Sequence, residues 1–150
     1  MGEPIYDAKP PFWIEKVAYN RTDVHEAIPL MHRQCFKGNE VYPIADAEWW
    51  IVWDANLKSV GFAGLRLSPL EGIGYLCRAG VLPCARGHGL QKRLIRVRER
   101  YAREHGLGAI HTDTIFNPVS SNHLIDCGYR LFTPACPWGN DGSLYFRKDL

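Results

Sequence analysis

Along this chain the spacing of apolar positions shifts between two and about three and a half. Residues 14–20 read as a first strand. Val24, Ile28, Met31 and Cys35 then recur every three or four positions, the stripe of an amphipathic helix. Asp23 and Glu26 have the spacing of a capping box that starts this helix, Pro29 is expected to kink it, and Gly38-Asn39 to end it. Residues 42–46 read as a loop or a short second helix. Residues 48–54, rich in Trp, Ile and Val, are a strand. With 60–67 and 72–82 they make an antiparallel meander joined by short turns. Leu90, Leu94, Val97 and Tyr101 mark one face of a further helix; Lys92, Arg93, Arg96, Arg100 and Arg103 lie around its other sides, and Gly106 and Gly108 stop it. A strand at 109–115, a short helix at 118–126 closed by Gly128, and strands at 129–132 and 143–147 complete the pattern. The order βα(α)βββαβαββ is α/β (α+β), with a central mixed sheet of about seven strands.

Composition narrows the function. The 150 residues are the length of one ordinary domain, and neither a repeat nor a linker divides them, so 1–150 are expected to form a single domain. An apolar share of 46 % with 23 % charged residues is that of a soluble globular protein and excludes a disordered chain. No apolar run approaches the ~20 residues of a membrane span. The first eleven residues lack the basic-then-apolar order of a secretion signal. Both readings place the protein in the cytoplasm, away from membranes. The five cysteines (Cys35, Cys77, Cys84, Cys127 and Cys136) are odd in number and include no C-x-x-C pair, which argues for reduced thiols and against a disulfide framework or a zinc site.

Residues 1–70 hold nine acids against seven bases, and residues 71–150 seven against eleven. The excess lies largely between Lys92 and Arg103, and fits either an anionic ligand or a solvated helix face. Nucleic-acid binding is disfavoured, because no exposed aromatics accompany that helix and Glu99 and Glu104 dilute its charge.

The informative stretch is Val81-Leu82-Pro83-Cys84-Ala85-Arg86-Gly87-His88-Gly89-Leu90-Gln91, which joins a strand to an amphipathic helix. Glycine lets backbone approach a ligand closely and adopt positive φ. The first amides of a helix lack internal partners and carry the positive end of its dipole. Strand, glycine turn and helix start together make a phosphate cradle, to which Arg86 adds a charge-assisted contact. The stretch lacks Gly-Lys-Ser/Thr, so it is not a nucleoside-triphosphate loop, and it lacks the full G-x-G-x-x-G of a dinucleotide fold.

Val81-x-Pro83-x-x-Arg86-Gly87-x-Gly89-Leu90 resembles the coenzyme A-binding motif of the GNAT family of N-acetyltransferases, with Gln91 standing where the family has Gly or Ala. Asn117-Pro118-Val119-Ser120, followed by Cys127-Gly128-Tyr129, resembles the family's N-x-x-A/S…G-F segment. The resemblance implies an acetyl-CoA-dependent acyltransferase with a GNAT-like fold. The pyrophosphate would lie on Arg86, Gly87, His88, Gly89, Leu90 and Gln91. The pantetheine would lie in a splay between strands 74–82 and 109–115, along Ala79, Gly80 and Val81, with Asn117 and Ser120 beside it. A small-molecule or peptide amine would attack the thioester directly, and no metal is required. Many members carry a tyrosine acid four residues before that Gly; here the position is Leu124. The missing acid favours a second reading, an acyl-CoA-binding module without efficient turnover.

The resemblance places the acceptor along one face of strand 72–82. Strict alternation sets Ile73, Tyr75, Cys77 and Ala79 on that face, with Glu71 at its start. Glu71 acting through water, or Tyr75, are the candidate acid–base groups, with a surface carboxylate and a packed aromatic as the plain alternatives. Cys77 reads as a core thiol and His88 as a cofactor contact. His111 and Asp113 could reach the cleft or simply form a polar strand face, and His123 is expected to be exposed. In the family, acceptor choice comes from the first helix region and the last loop. Here these hold Tyr42, Trp49, Trp50, Trp53 and Trp138, which serve either an acceptor pocket or the core. A homodimer is left open.

Overall fold

In the computed structural model, residues 5–7, 10–36, 47–115 and 117–150 are described. The Gly38-Asn39 stop, the element at 42–46 and Tyr42 lie outside them. The described residues form strands β1 (Ile5–Asp7), β2 (Trp13–Val17), β3 (Glu48–Trp53), β4 (Ser59–Ser68), β5 (Ile73–Val81), β6 (Ala109–Thr114), β7 (Arg130–Leu131) and β8 (Leu144–Asp149). The helices are α1 (Thr22–Cys35), α2 (Leu90–Glu104) and α3 (Pro118–Asp126). One mixed sheet takes the order β1-β2-β3-β4-β5-β6-β8-β7. Seven of its strands are those expected from the sequence. The eighth, β1, carries too short a pattern to declare itself.

The sheet separates two cores. On one face α2 and α3 pack Leu90, Leu94, Val97 and Leu124 against Ile14, Trp50, Leu65 and Leu76. On the other, α1 packs Val24, Ile28 and Met31 against Val17, Trp49, Ile51 and Phe62. Trp49 and Trp50 are therefore core side chains on opposite faces, as neighbours on a strand must be. Trp50 is wholly buried, and truncating such a side chain to Ala costs about 3–5 kcal/mol.

Helix α1 starts earlier than its capping box suggests. Arg21 is the N-cap, with extended backbone and no side-chain cap. The Asp23 carboxylate instead pairs with the Arg21 guanidinium at 2.8 Å and accepts the Val24 N–H at 3.0 Å. The ion pair occupies the oxygen that a cap would have used. Pro29 does lie within α1.

Strand β5 departs from alternation. Ala63 of β4 pairs with Ala79 and Leu65 with Leu76, so Gly64 faces both Cys77 and Arg78, a β-bulge. Cys77 and Arg78 consequently share the α1 face: the Cys77 thiol lies where a Gly64 Cβ would be, and the Arg78 guanidinium stands 5.5 Å from the Phe36 ring. Past the bulge the phase is reversed. Ala79 turns to the α2 face, so the expected face of Ile73, Tyr75, Cys77 and Ala79 is corrected to one that loses Ala79 and gains Arg78. The buried Arg98 of α2 donates to the Gly64 carbonyl and to the Leu94 carbonyl, both at 3.0 Å, holding the helix against the bulge.

Candidate functional site

Strands β5 and β6 run parallel but pair only at Ile73↔Ala109, Gly74↔Ile110 and Tyr75↔His111. Beyond that point β5 stays on β4 and β6 stays on β8, so the two part as a fork. The Thr112 hydroxyl closes its base by donating to the Leu76 carbonyl at 2.9 Å. A cleft of about 1340 Å3 passes through the fork, lined by Phe36 and Arg78 from the α1 face and by Ile95, Arg98 and Leu124 from the α2 face.

At the end of β5, Pro83–Ala85 form a 3-10 turn and Gly89 caps α2 with φ +71°. Gly87 has φ +84°, and nothing stands within 4 Å of where a Cβ would be at either glycine. These conformations cost other residues about 1–2 kcal/mol, so the turn needs glycine to present its amides outward. Arg86, Gly87, His88 and Gly89 are exposed. The Arg86 side chain folds back to donate to the Val81 carbonyl at 3.2 Å, and the Phe12 ring lies edge-on to His88 at 4.9 Å.

The structure brings Tyr75, Glu71, Ala79, Gln91, Asn117 and Ser120 to the cleft. Gly80, Val81 and the turn from Arg86 to Leu90 do not line it; the turn meets the cleft through Gln91. Asn117 caps α3, its side chain accepting the Ser120 N–H at 3.0 Å. Leu124 is buried in the α2-side core. His123 is half-buried and lines the cleft, where exposure was expected.

Toward the α1 face the floor is a single row made by register: Arg66 of β4 opposite Tyr75 of β5, Tyr75 opposite His111 of β6, and His111 opposite Arg147 of β8. The Tyr75 hydroxyl donates to the Glu71 carboxylate at 3.1 Å; burial first, and then that carboxylate, push the phenol pKa up. Trp138 donates its indole N–H to Asp113 at 3.0 Å and lies over His111, the rings 10° from parallel. Burial raises the Cys77 thiol, which keeps it protonated. No group of three or more His, Cys, Asp or Glu side chains among the described residues could hold a metal ion. No described helix is long and apolar enough to cross a membrane. His111 and Asp113 do line the cleft, the first of the two readings the sequence allowed, whereas Arg66 and Arg147 stand in the row without having been singled out, because only strand pairing places them there.

A model of the Acetyltransferase (GNAT) family matches residues 12–129. No curated protein matches the chain in sequence. Among solved structures the fold is similar to the GNAT domain of S. lividans PAT (TM-score 0.74, 13 % identity, 97 % of each chain covered). It is similar also to the ribosomal-protein-S18-alanine N-acetyltransferase from Escherichia coli (TM-score 0.73, 12 % identity, 92 % of this chain and 93 % of that one). A third is the IAA acetyltransferase from Bacillus cereus (TM-score 0.71, 14 % identity, 93 % and 99 %).

Proposed function

The chain belongs to the GNAT acetyltransferase family, and from that membership we propose that it moves the acetyl group of acetyl-CoA to a primary amine of a small molecule or peptide by direct attack. Acyl-CoA-dependent acyl transfer is the family's chemistry; the acetyl donor and the amine acceptor are the finer reading. The observation that carries it is the fork between β5 and β6, opening beside an outward-facing glycine turn at the start of α2.

In this reading the turn from Arg86 to Gln91 holds the pyrophosphate, through backbone amides and the Arg86 charge. Pantetheine lies in the fork along Ala79, with Asn117 and Ser120 beside it, and reaches Gly80 and Val81 only through their backbone. Backbone amides of β5 where the fork opens polarise the thioester carbonyl. The site brings the amine to that carbon and needs no protein nucleophile. Glu71 acting through water, or Tyr75, the two hydrogen-bonded to each other at its edge, are the candidate acid–base groups. The whole chain forms one catalytic domain acting in the cytoplasm.

Calorimetry with acetyl-CoA, followed by thiol-release assays over amines, amino acids, aminoglycosides and peptide N-termini, tests the proposal. Binding with turnover of at least one amine is expected. Binding without any turnover would favour the second reading, an acyl-CoA-binding module, which the buried Leu124 at the family's tyrosine position supports.

A further inference from the structure

His111 stands at the last paired step before the fork opens, opposite Tyr75 on one side and Arg147 on the other. It lines the cleft and is 8 % exposed. Aromatic rings surround it: Phe132 at 4.8 Å, Tyr75 edge-on at 5.8 Å and Trp138 stacked at 6.2 Å. Its Nε2 is buried and has no hydrogen-bond partner. An unpaired buried nitrogen costs about 1–3 kcal/mol, and nothing in the packing of β6 calls for a polar side chain there. A Phe or Leu would fill the same space at no such cost.

We infer that the His111 imidazole, at the edge of the ring that lines the cleft, is the proton acceptor for the attacking amine. This rests on the acyl-transfer reading above and names a further catalytic residue for it. The acceptor arrives as R–NH3+ and gives one proton to the ring. The free amine nitrogen then attacks the thioester carbon, forming the C–N bond. The C–S bond breaks with its electron pair going to sulfur. A second nitrogen-bound proton ends on the departing thiolate, and the imidazolium returns its own to solvent. The products are the amide, coenzyme A thiol and one proton.

The charges facing the ring suit the task. Glu71 lies ahead of β5, Arg147 and Asp149 are on β8, and Asp113 is on β6 itself, bound to the Trp138 indole. Arg147 is tied to Asp149 at 3.0 Å, so its charge is partly answered. Burial, and next Arg147, hold the imidazole below its usual 6.5, with Glu71 and Asp149 opposing. The ring is thus neutral near pH 7 and able to take a proton.

The test uses acetyl-CoA and a panel of primary amines (benzylamine, free amino acids, short peptides), with thiol release as readout. His111→Gln is expected to lower kcat/KM on the order of 10²-fold, in line with general-base catalysis. Its coenzyme A affinity should stay within about twofold of the parent, since the ring lies off the glycine turn. In the parent, kcat/KM falls on the acid side with a midpoint below 6.5; in H111Q that limb is absent. Added imidazole should restore part of the rate to His111→Ala. Carbon-labelled histidine NMR on the parent, which needs no variant, should find the ring neutral at pH 7. A parent that turns over while H111Q keeps both its rate and its acid limb would overturn the role of His111 alone. A ring already protonated at pH 7 would do the same. A parent that turns over no amine would overturn the acyl-transfer reading, and this inference with it.

Discussion

The two ends of the cleft are built differently. The turn at the start of α2 is contiguous in sequence and made of backbone, its glycines held at φ +84° and +71° with open space around them. The row at the far side is made of side chains from four strands, Arg66, Tyr75, His111 and Arg147, brought together by pairing alone. A backbone site tolerates no Cβ or bulk, whereas a side-chain site tolerates change at one member and loses that member's chemistry only.

The sharpest break in this contrast is Gly89→Glu. A carboxylate at a left-handed cap strains the backbone and repels the pyrophosphate. We expect coenzyme A affinity to fall about 10²-fold or more by calorimetry, while the cap strain lowers the melting temperature by only a few degrees. Equal affinity in parent and variant would move the donor site elsewhere. At the other end, Tyr75→Phe removes only the hydroxyl bonded to Glu71. Turnover should fall by about tenfold while coenzyme A affinity holds within about twofold. A matching loss in both would mean that the two ends do not divide the work.

Acid lability is carried by two buried histidines, one in the α1-side core and one in the row. His32 of α1 is 1 % exposed with both ring nitrogens unpartnered, and burial, then Arg78, lower its pKa; His111 is lowered likewise. A folded pKa held below the unfolded 6.5 gives stability that is complete above 6.5 and lost as pH falls toward the folded value. Urea unfolding should therefore show stability declining as pH falls from 7 to 5, and His32→Leu should flatten that decline. An unchanged slope would show that His32 takes up no proton on unfolding.

The smallest effects are expected at Leu124 and Cys77. A coenzyme A thiolate, comparable with a cysteine thiol of pKa ~8.5, leaves with little help. Leu124→Tyr and Cys77→Ala should each change turnover by no more than about threefold. A large gain in Leu124→Tyr would promote the binding-module reading. A trapped acetyl group on Cys77 by mass spectrometry would mean a covalent route.

What the sequence displays follows the same division. Helix α3 spans Pro118–Asp126 as its pattern reads, with Gly128 at φ +93° just beyond, because cap and stop signals are local. The glycine turn and the meander are local too. Strand alternation carried Ala79 to the wrong face because a bulge depends on the partner strand: only Gly64, too crowded by Cys77 and Trp49 for a Cβ, hints at it. The pattern of α2 leaves its bases to an anionic ligand or to solvent, with Glu99 diluting their charge. Instead Glu99 is buried and paired with Lys148 of β8 at 3.1 Å, and Arg98 is buried against the bulge. Long-range partners of that kind leave no periodic mark. The row from Arg66 to Arg147 is the extreme case, since its members are up to 81 positions apart.

The fork also divides the sheet mechanically. Main-chain pairing joins β5 to β6 over three residue pairs, while β6 and β8 are joined over six. So short a seam opens first, and its amides exchange with solvent at lower free energy than those of the flanking ladders. On the proposed reading, coenzyme A lodged in the fork would bridge two plates whose main chains pair along this one short edge. A ligand at a hundred times its Kd adds about 2.7 kcal/mol to the folded state. Occupancy and stiffness would then become a single variable, with the concentration of free coenzyme setting how often the two plates breathe apart.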